Sequence, residues 1–109
     1  MKELKWMGSS RKDITAFPDD AKRAAGFQLL RLQQGQEPTD WKPMQGIGNG
    51  VQEIRIRKES GAFRVIYVAK FEEAVYVLHA FQKKTQQTAQ PDIDLARERF
   101  KEMVRERTK

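Results

Sequence analysis

A group of charged side chains in the second half of this chain has the types and spacing of a site for a phosphodiester. Glu53, Arg55 and Arg57 alternate through VQEIRIRK, so the period of two of a strand puts all three on one face. Arg64 interrupts the otherwise apolar run FRVIYVA. An arginine there is costly to bury unpaired, so it either pairs with a carboxylate such as Glu53 or points into a site that receives an anion. Lys83 and Lys84 follow the next apolar run, AVYVLHAF, which carries the sole histidine, His79. Several cations around one carboxylate can hold a phosphodiester, stabilise the charge that develops on it, and leave a group for proton transfer.

Each of these residues also has a plainer reading. Alternating charge on an exposed strand face is often merely solvated, and a histidine between Leu78 and Ala80 suits a satisfied core position. Near the end of its strand, with an unperturbed pKa near neutrality, it also suits a catalytic acid. Phe81 serves either to stack on a base or to close the core. What favours a site is convergence, because Arg55, Arg57, Lys58, Arg64, Lys70, Lys83 and Lys84 face just three acids, Glu59, Glu72 and Glu73, between Arg55 and Gln90.

The elements that must position these groups can be read in order. Val51 to Arg57 is an amphipathic strand with Ile54 and Ile56 toward a core and an open charged face. Ser60-Gly61 turns the chain into Phe63–Ala69, and Glu72-Glu73 lead into Ala74–Phe81. Both of these runs are apolar on two faces and belong at a sheet centre. Short connections make the three an antiparallel meander. Upstream, Leu4 to Met7 reads as a first strand or edge segment. Ser10 and Asp13 have capping-box spacing for a short helix from about Arg11 to Phe17, which Pro18 stops. Asp19 or Asp20 caps a second helix that carries Ala21, Ala25, Leu29 and Leu32, and Gly35 ends it. These two helices read as a hairpin laid on the sheet. Glu37 to Gly50 is a loop pinned by Trp41 and Met44, whose glycine run lacks the lysine and following helix of a phosphate loop. Gln82 to Gln90 is polar and mobile in character. A last helix, from Pro91 to about Arg107, has Ile93, Ala96, Phe100, Met103 and Val104 on one stripe.

Composition bounds the rest. A chain of 109 residues is one domain, 1–109, by size. Net charge is +6, which favours a polyanionic partner through counterion release. There are no cysteines and one histidine, and the acids form no ligand cluster, so no metal site and no cofactor is expected. No apolar run approaches the roughly 18 residues of a membrane span, and Met1 to Ser10 lacks a signal peptide's apolar core. A cytoplasmic protein without a membrane partner is the expectation.

The element order and the stretch EIRIRKESGAFRVIYVA resemble the RelE superfamily of bacterial toxins. WMGSSRKDITAFPDDAK and AVYVLHAFQKKTQQT are similar to its phage-related HigB-type branch. The resemblance implies an α+β fold in which an N-terminal helical hairpin packs on a small, mainly antiparallel sheet with a C-terminal helix. It also implies the toxin of a type II toxin–antitoxin system, an endoribonuclease that cleaves mRNA on the ribosome and is neutralised by a helix-turn-helix antitoxin. Cleavage in such enzymes proceeds by metal-independent attack of the ribose 2′-OH. Carried onto this chain, the catalytic candidates are Arg64, Glu53, Arg55, Lys83 and His79. Arg57, Lys58, Lys84 and Phe81 are the RNA-binding candidates. The competing expectation is a non-catalytic RNA- or ribosome-binding module, or an inactive phage-derived relative, built on the same cations.

Overall fold

The computed structural model describes residues 1–109. The meander forms as its apolar patterning requires. β3 (Val51–Lys58), β4 (Gly61–Val68) and β5 (Ala74–Lys83) pair antiparallel in sequence order. Every residue of β4 from Phe63 to Val68 is buried, as expected of a strand covered on both faces.

Two further strands complete a mixed five-stranded sheet of order β1-β5-β4-β3-β2. β1 (Glu3–Trp6) lies parallel to β5, and β2 (Trp41–Pro43) is an antiparallel edge on β3. α1 (Ser10–Thr15) and α2 (Asp19–Gln33) are inserted between β1 and β2, and α3 (Gln90–Arg107) closes the chain. The expected fold class therefore needs correcting. The chain opens on a strand rather than a helical hairpin, its first helix is short, and its sheet is mixed. α1 rests chiefly on β5 while α2 rests chiefly on β3, so the two helices, which also touch each other, lie mainly over different strands. Local patterning marks the opening strand and the short first helix but not the parallel pairing. A parallel partner needs a long crossover, and here Leu4 faces Val75 at the far end of the chain.

The sheet separates two cores. Ile54, Ile56, Phe63, Val65, Val75 and Val77 meet Ile14, Ala21, Ala25, Leu29 and Leu32 of the first two helices. On the other face Val51, Ile66, Val68, Tyr76 and Leu78 meet Ala96 and Met103 of α3. α3 thus covers the Val51–Val68–Tyr76 end of its face, and Arg55 and Arg57 at the other end stay exposed.

Local signals divide the same way. Gly35 adopts φ 81° after α2, and the N–H of Gln36 donates to Arg31 O at 2.9 Å, the closing bond of a left-handed helix end. The capping box does not form. Ser10 is buried, and its hydroxyl donates to Val77 O at 3.0 Å, tying α1 to β5. Ser9 is the N-cap, and its hydroxyl donates to the Asp13 side chain at 2.8 Å rather than to backbone. Pro18 is the N-cap of α2, and the Asp20 carboxylate accepts from Ala21 N–H and from the Ser60 hydroxyl.

Candidate functional site

One irregularity in β5 decides which side chains share a face. The register runs Tyr67 opposite Val77 and then Ile66 opposite His79, so Leu78 is an extra, bulged residue. Strict alternation from Val75 and Val77 would send His79, Phe81 and Lys83 into the core under α1 and α2. A bulge shifts the alternation by one residue. Ala80 instead joins that core, while His79, Phe81 and Lys83 turn to the face of Glu53, Arg55, Arg57 and Arg64.

On that face the structure builds two polar groups. The first centres on Glu53, which is fully buried. Its Oε1 lies 3.5 Å from Arg64 Nε and 4.0 Å from Lys42 Nζ, and its Oε2 accepts the Thr88 hydroxyl at 3.1 Å. Glu53 Oε1 and Arg64 Nε make no hydrogen bond, so the pair is held by charge rather than by a closed hydrogen-bond fork. Arg64 Nη1 donates to Phe63 O at 3.0 Å. The expected open face of β3 is thus open only at Arg55 and Arg57, because Glu53 is sealed between Arg64 and Thr88. Arg64 pairs by charge with Glu53, and it also lines an open pocket of about 350 Å³ with Arg57, Lys83, Thr85 and Gln86.

The electrostatics of that pocket follow from crowding like charges. Burial lowers the Arg64 pKa, Glu53 opposes the shift, and Arg55 and Arg57 add to it. Partial desolvation lowers the Lys83 amine from its ordinary value, and the neighbouring Arg64 charge adds to the shift. An anion entering between Arg57, Arg64 and Lys83 relieves all three repulsions.

The second group is built around His79. Its Nε2 lies 2.7 Å from Asp92 Oδ1, and its Nδ1 is 3.5 Å from Arg99 Nη1, so both ring nitrogens are engaged. The ring stacks on Phe81 with centroids 4.9 Å apart. Arg99 is buried; it donates to Leu78 O at 3.0 Å and to the Ser9 hydroxyl at 2.9 Å. That hydroxyl in turn donates to Asp13. Gly8 makes room for this arginine: its φ is +54°, and a Cβ there would stand 2.4 Å from Arg99 Nε.

The expected site residues therefore divide. Arg57, Arg64 and Lys83 share the basic pocket, with Glu53 behind it. Arg55 does not join them; it is held by Asp40, with Nη2 and Nε at 2.7 and 2.9 Å from Oδ1. His79 belongs to the second group and does not line the basic pocket. Lys84 and Phe81 line a depression of about 210 Å³ beside it. Lys58 is exposed, and its charge acts on Asp20 instead. The segment after β5 is fastened at Thr88, although its composition reads as free. Arg99 and Asp92 went unnoticed in the sequence, yet a signal existed: Asp92, Ala96, Arg99 and Met103 have the spacing of one helical stripe, so a charge sits among buried positions.

No helix is long and apolar enough to cross a membrane. A search of curated proteins finds no match. Residues 12–101, which include all of the meander together with Glu53, Arg64, His79, Asp92 and Arg99, match the family described as phage derived protein Gp49-like (DUF891). The chain belongs to this Gp49-like family, a toxin-like group of the general RelE/HigB type.

Proposed function

We propose that this protein is the toxin of a toxin–antitoxin pair and cleaves mRNA on the ribosome, with the basic pocket as its active site. The observation that supports this most is the gathering of Arg57, Arg64 and Lys83 around one opening, with a carboxylate immediately behind. In this reading Arg57 and Arg64 bind the scissile phosphate and stabilise the charge of the pentacoordinate state. Glu53 orients Arg64 through Oε1, and its Oε2, freed when Thr88 moves aside, accepts the proton of the attacking 2′-OH. The 2′-oxygen bonds to phosphorus, the bond to the 5′-oxygen breaks, and Lys83 protonates that leaving oxygen. The products are a 2′,3′-cyclic phosphate and a free 5′-hydroxyl. Thr88 covers the carboxylate, so RNA entry displaces the Thr85–Ala89 segment.

A second reading rests on the same cover. Complete burial of Glu53 also suits a purely structural counter-ion, which leaves a non-catalytic RNA-binding surface. Expression of the chain alone separates the two. Growth arrest with transcripts cut only while translated supports the enzyme. Unimpaired growth with intact transcripts and salt-sensitive RNA binding supports the binding module.

A further inference from the structure

β1 pairs with β5 as far as Val77, and the chain then turns away at Gly8, leaving the outer edge of β5 beyond that point without a neighbouring strand. An open groove of about 450 Å³ follows that edge, lined by the half-buried Phe81, by the edges of the core residues Phe17 and Ala80, and by the polar Asp13 and Gln82. It is continuous with the basic pocket. The depression between them shares Lys83 and Thr85 with the pocket and Phe81 and Gln82 with the groove. Lys83 and Phe81 are two residues apart on one strand face, about 7 Å. That is the reach from a bound phosphate to the base of a neighbouring nucleotide.

The rim of the groove is organised. Asp13 Oδ2 accepts the Ser9 hydroxyl, which is itself held by Arg99, and Arg99 is anchored on Leu78 O. Asp13 is therefore a half-buried carboxylate held through Oδ2, which leaves Oδ1 open to a donor. A carboxylate beside an apolar, aromatic floor recognises a flat ring that presents two adjacent N–H donors. Among the bases, guanine does so through N1–H and its exocyclic amine, and the Gln82 amide can donate to O6. Adenine would set its N1 lone pair against the carboxylate, and uracil offers one N–H between two carbonyls.

We propose that this groove is a nucleobase subsite selective for guanine, placed next to the phosphate pocket on a single-stranded RNA. The proposal rests on the reading that the basic pocket holds an RNA phosphate, and it adds a base preference to that reading. The open volume admits a purine with its ribose, and the half-buried Phe81 is the aromatic side chain within reach of a base, as unpaired bases are held by stacking.

Binding of the pentanucleotides UUGUU and UUAUU, followed by fluorescence anisotropy, tests it, with 5′-GMP and 5′-AMP as separate probes by amide NMR. The wild-type chain should prefer UUGUU by about tenfold, the low end of what one bidentate base contact provides. Asp13→Asn should bring that ratio close to one by weakening UUGUU to the level of UUAUU, with the salt dependence of binding preserved. Ala16→Leu, which narrows the groove without changing charge, should do the same. GMP should shift the amides of Ala16 and Leu95, and AMP should do so much less. Equal affinity for the two RNAs in the wild-type chain overturns the proposal, as does a preference that survives Asp13→Asn. If neither RNA binds but GMP shifts the groove amides, the subsite stands and the reading that the basic pocket holds an RNA phosphate falls. If GMP leaves those amides unmoved, the subsite falls whatever the RNAs do.

Discussion

Glu53 and Arg64 offer the sharpest physical test of how the site is built. Both side chains are almost fully buried, at 0 and 4% exposure, and they lie 3.5 Å apart. Removing one member of a buried pair leaves the other charge uncompensated, which costs about 3–5 kcal/mol. The low end applies here, because Lys42 stands 4.0 Å from Glu53 on one side and the basic pocket opens beside Arg64 on the other. Glu53→Leu and Arg64→Met should each lose about 3 kcal/mol. For a chain of 109 residues the unfolding entropy is about 0.23 kcal/mol/K at the midpoint, so each variant should melt roughly 13 °C lower. The double variant removes both charges and fills the space with apolar atoms. It should lose no more than either single variant, a coupling of about 3 kcal/mol in a double-mutant cycle. Urea titrations and calorimetry of the four proteins measure this. Additivity of the two losses within about 0.5 kcal/mol would refute the pairing.

Two other perturbations probe the frame around the site. Arg107 holds the Glu73 carboxylate down from 4.5 to about 2, with Tyr76 also donating to it. A lowered folded value means stability that is complete above the ordinary carboxylate range and is lost as pH falls toward 2. Glu73→Gln should therefore be less stable than wild type above about pH 5, and the gap should narrow steadily as pH falls toward 2 and close only below that folded value. Urea midpoints at pH 3 and pH 7 check the sign. Gly8→Ala meets a left-handed backbone and Arg99 at once, so a loss of about 2 kcal/mol or more is expected, against no loss for Gly26→Ala, whose Cβ meets open space on α2. Thermal melts compare the pair, and equal midpoints for the two variants would contradict the packing described at Arg99.

Much of the central sheet is legible from patterning. Ile54 and Ile56 mark one face of β3, the doubly apolar runs of β4 and β5 mark its centre, and Arg64 stands out by being charged within such a run. The features that were not legible depend on partners distant in sequence. Leu4 to Met7 reads as a strand or edge segment, but nothing local shows that it pairs in parallel with β5, some seventy residues on. β2 hides in a loop of prolines and glycines, and its strand character comes from pairing Trp41 with Ile54. The bulge at Leu78 leaves no trace in AVYVLHAF, because a run apolar on both faces has no alternation to break. That one residue nonetheless sets the direction of His79, Phe81 and Lys83, and so the membership of the site. Glu53 shows the opposite failure: its alternation with Arg55 and Arg57 reads as an open face, and only the approach of Thr88 and Arg64 buries it.

Lys83 carries the most distinctive part of the proposed chemistry, since it is a pocket cation whose pKa is lowered by its surroundings and it lies beside Arg64. The decisive measurement is the rate of mRNA cleavage in reconstituted translation complexes by wild type, Lys83→Ala and Lys84→Ala, with matched melting temperatures. Loss of a general acid costs about 10²–10⁴-fold, so Lys83→Ala should fall by at least a hundredfold while Lys84→Ala stays within severalfold of wild type. Cleavage by Lys83→Ala at the wild-type rate, or equal losses in the two variants, would contradict the account.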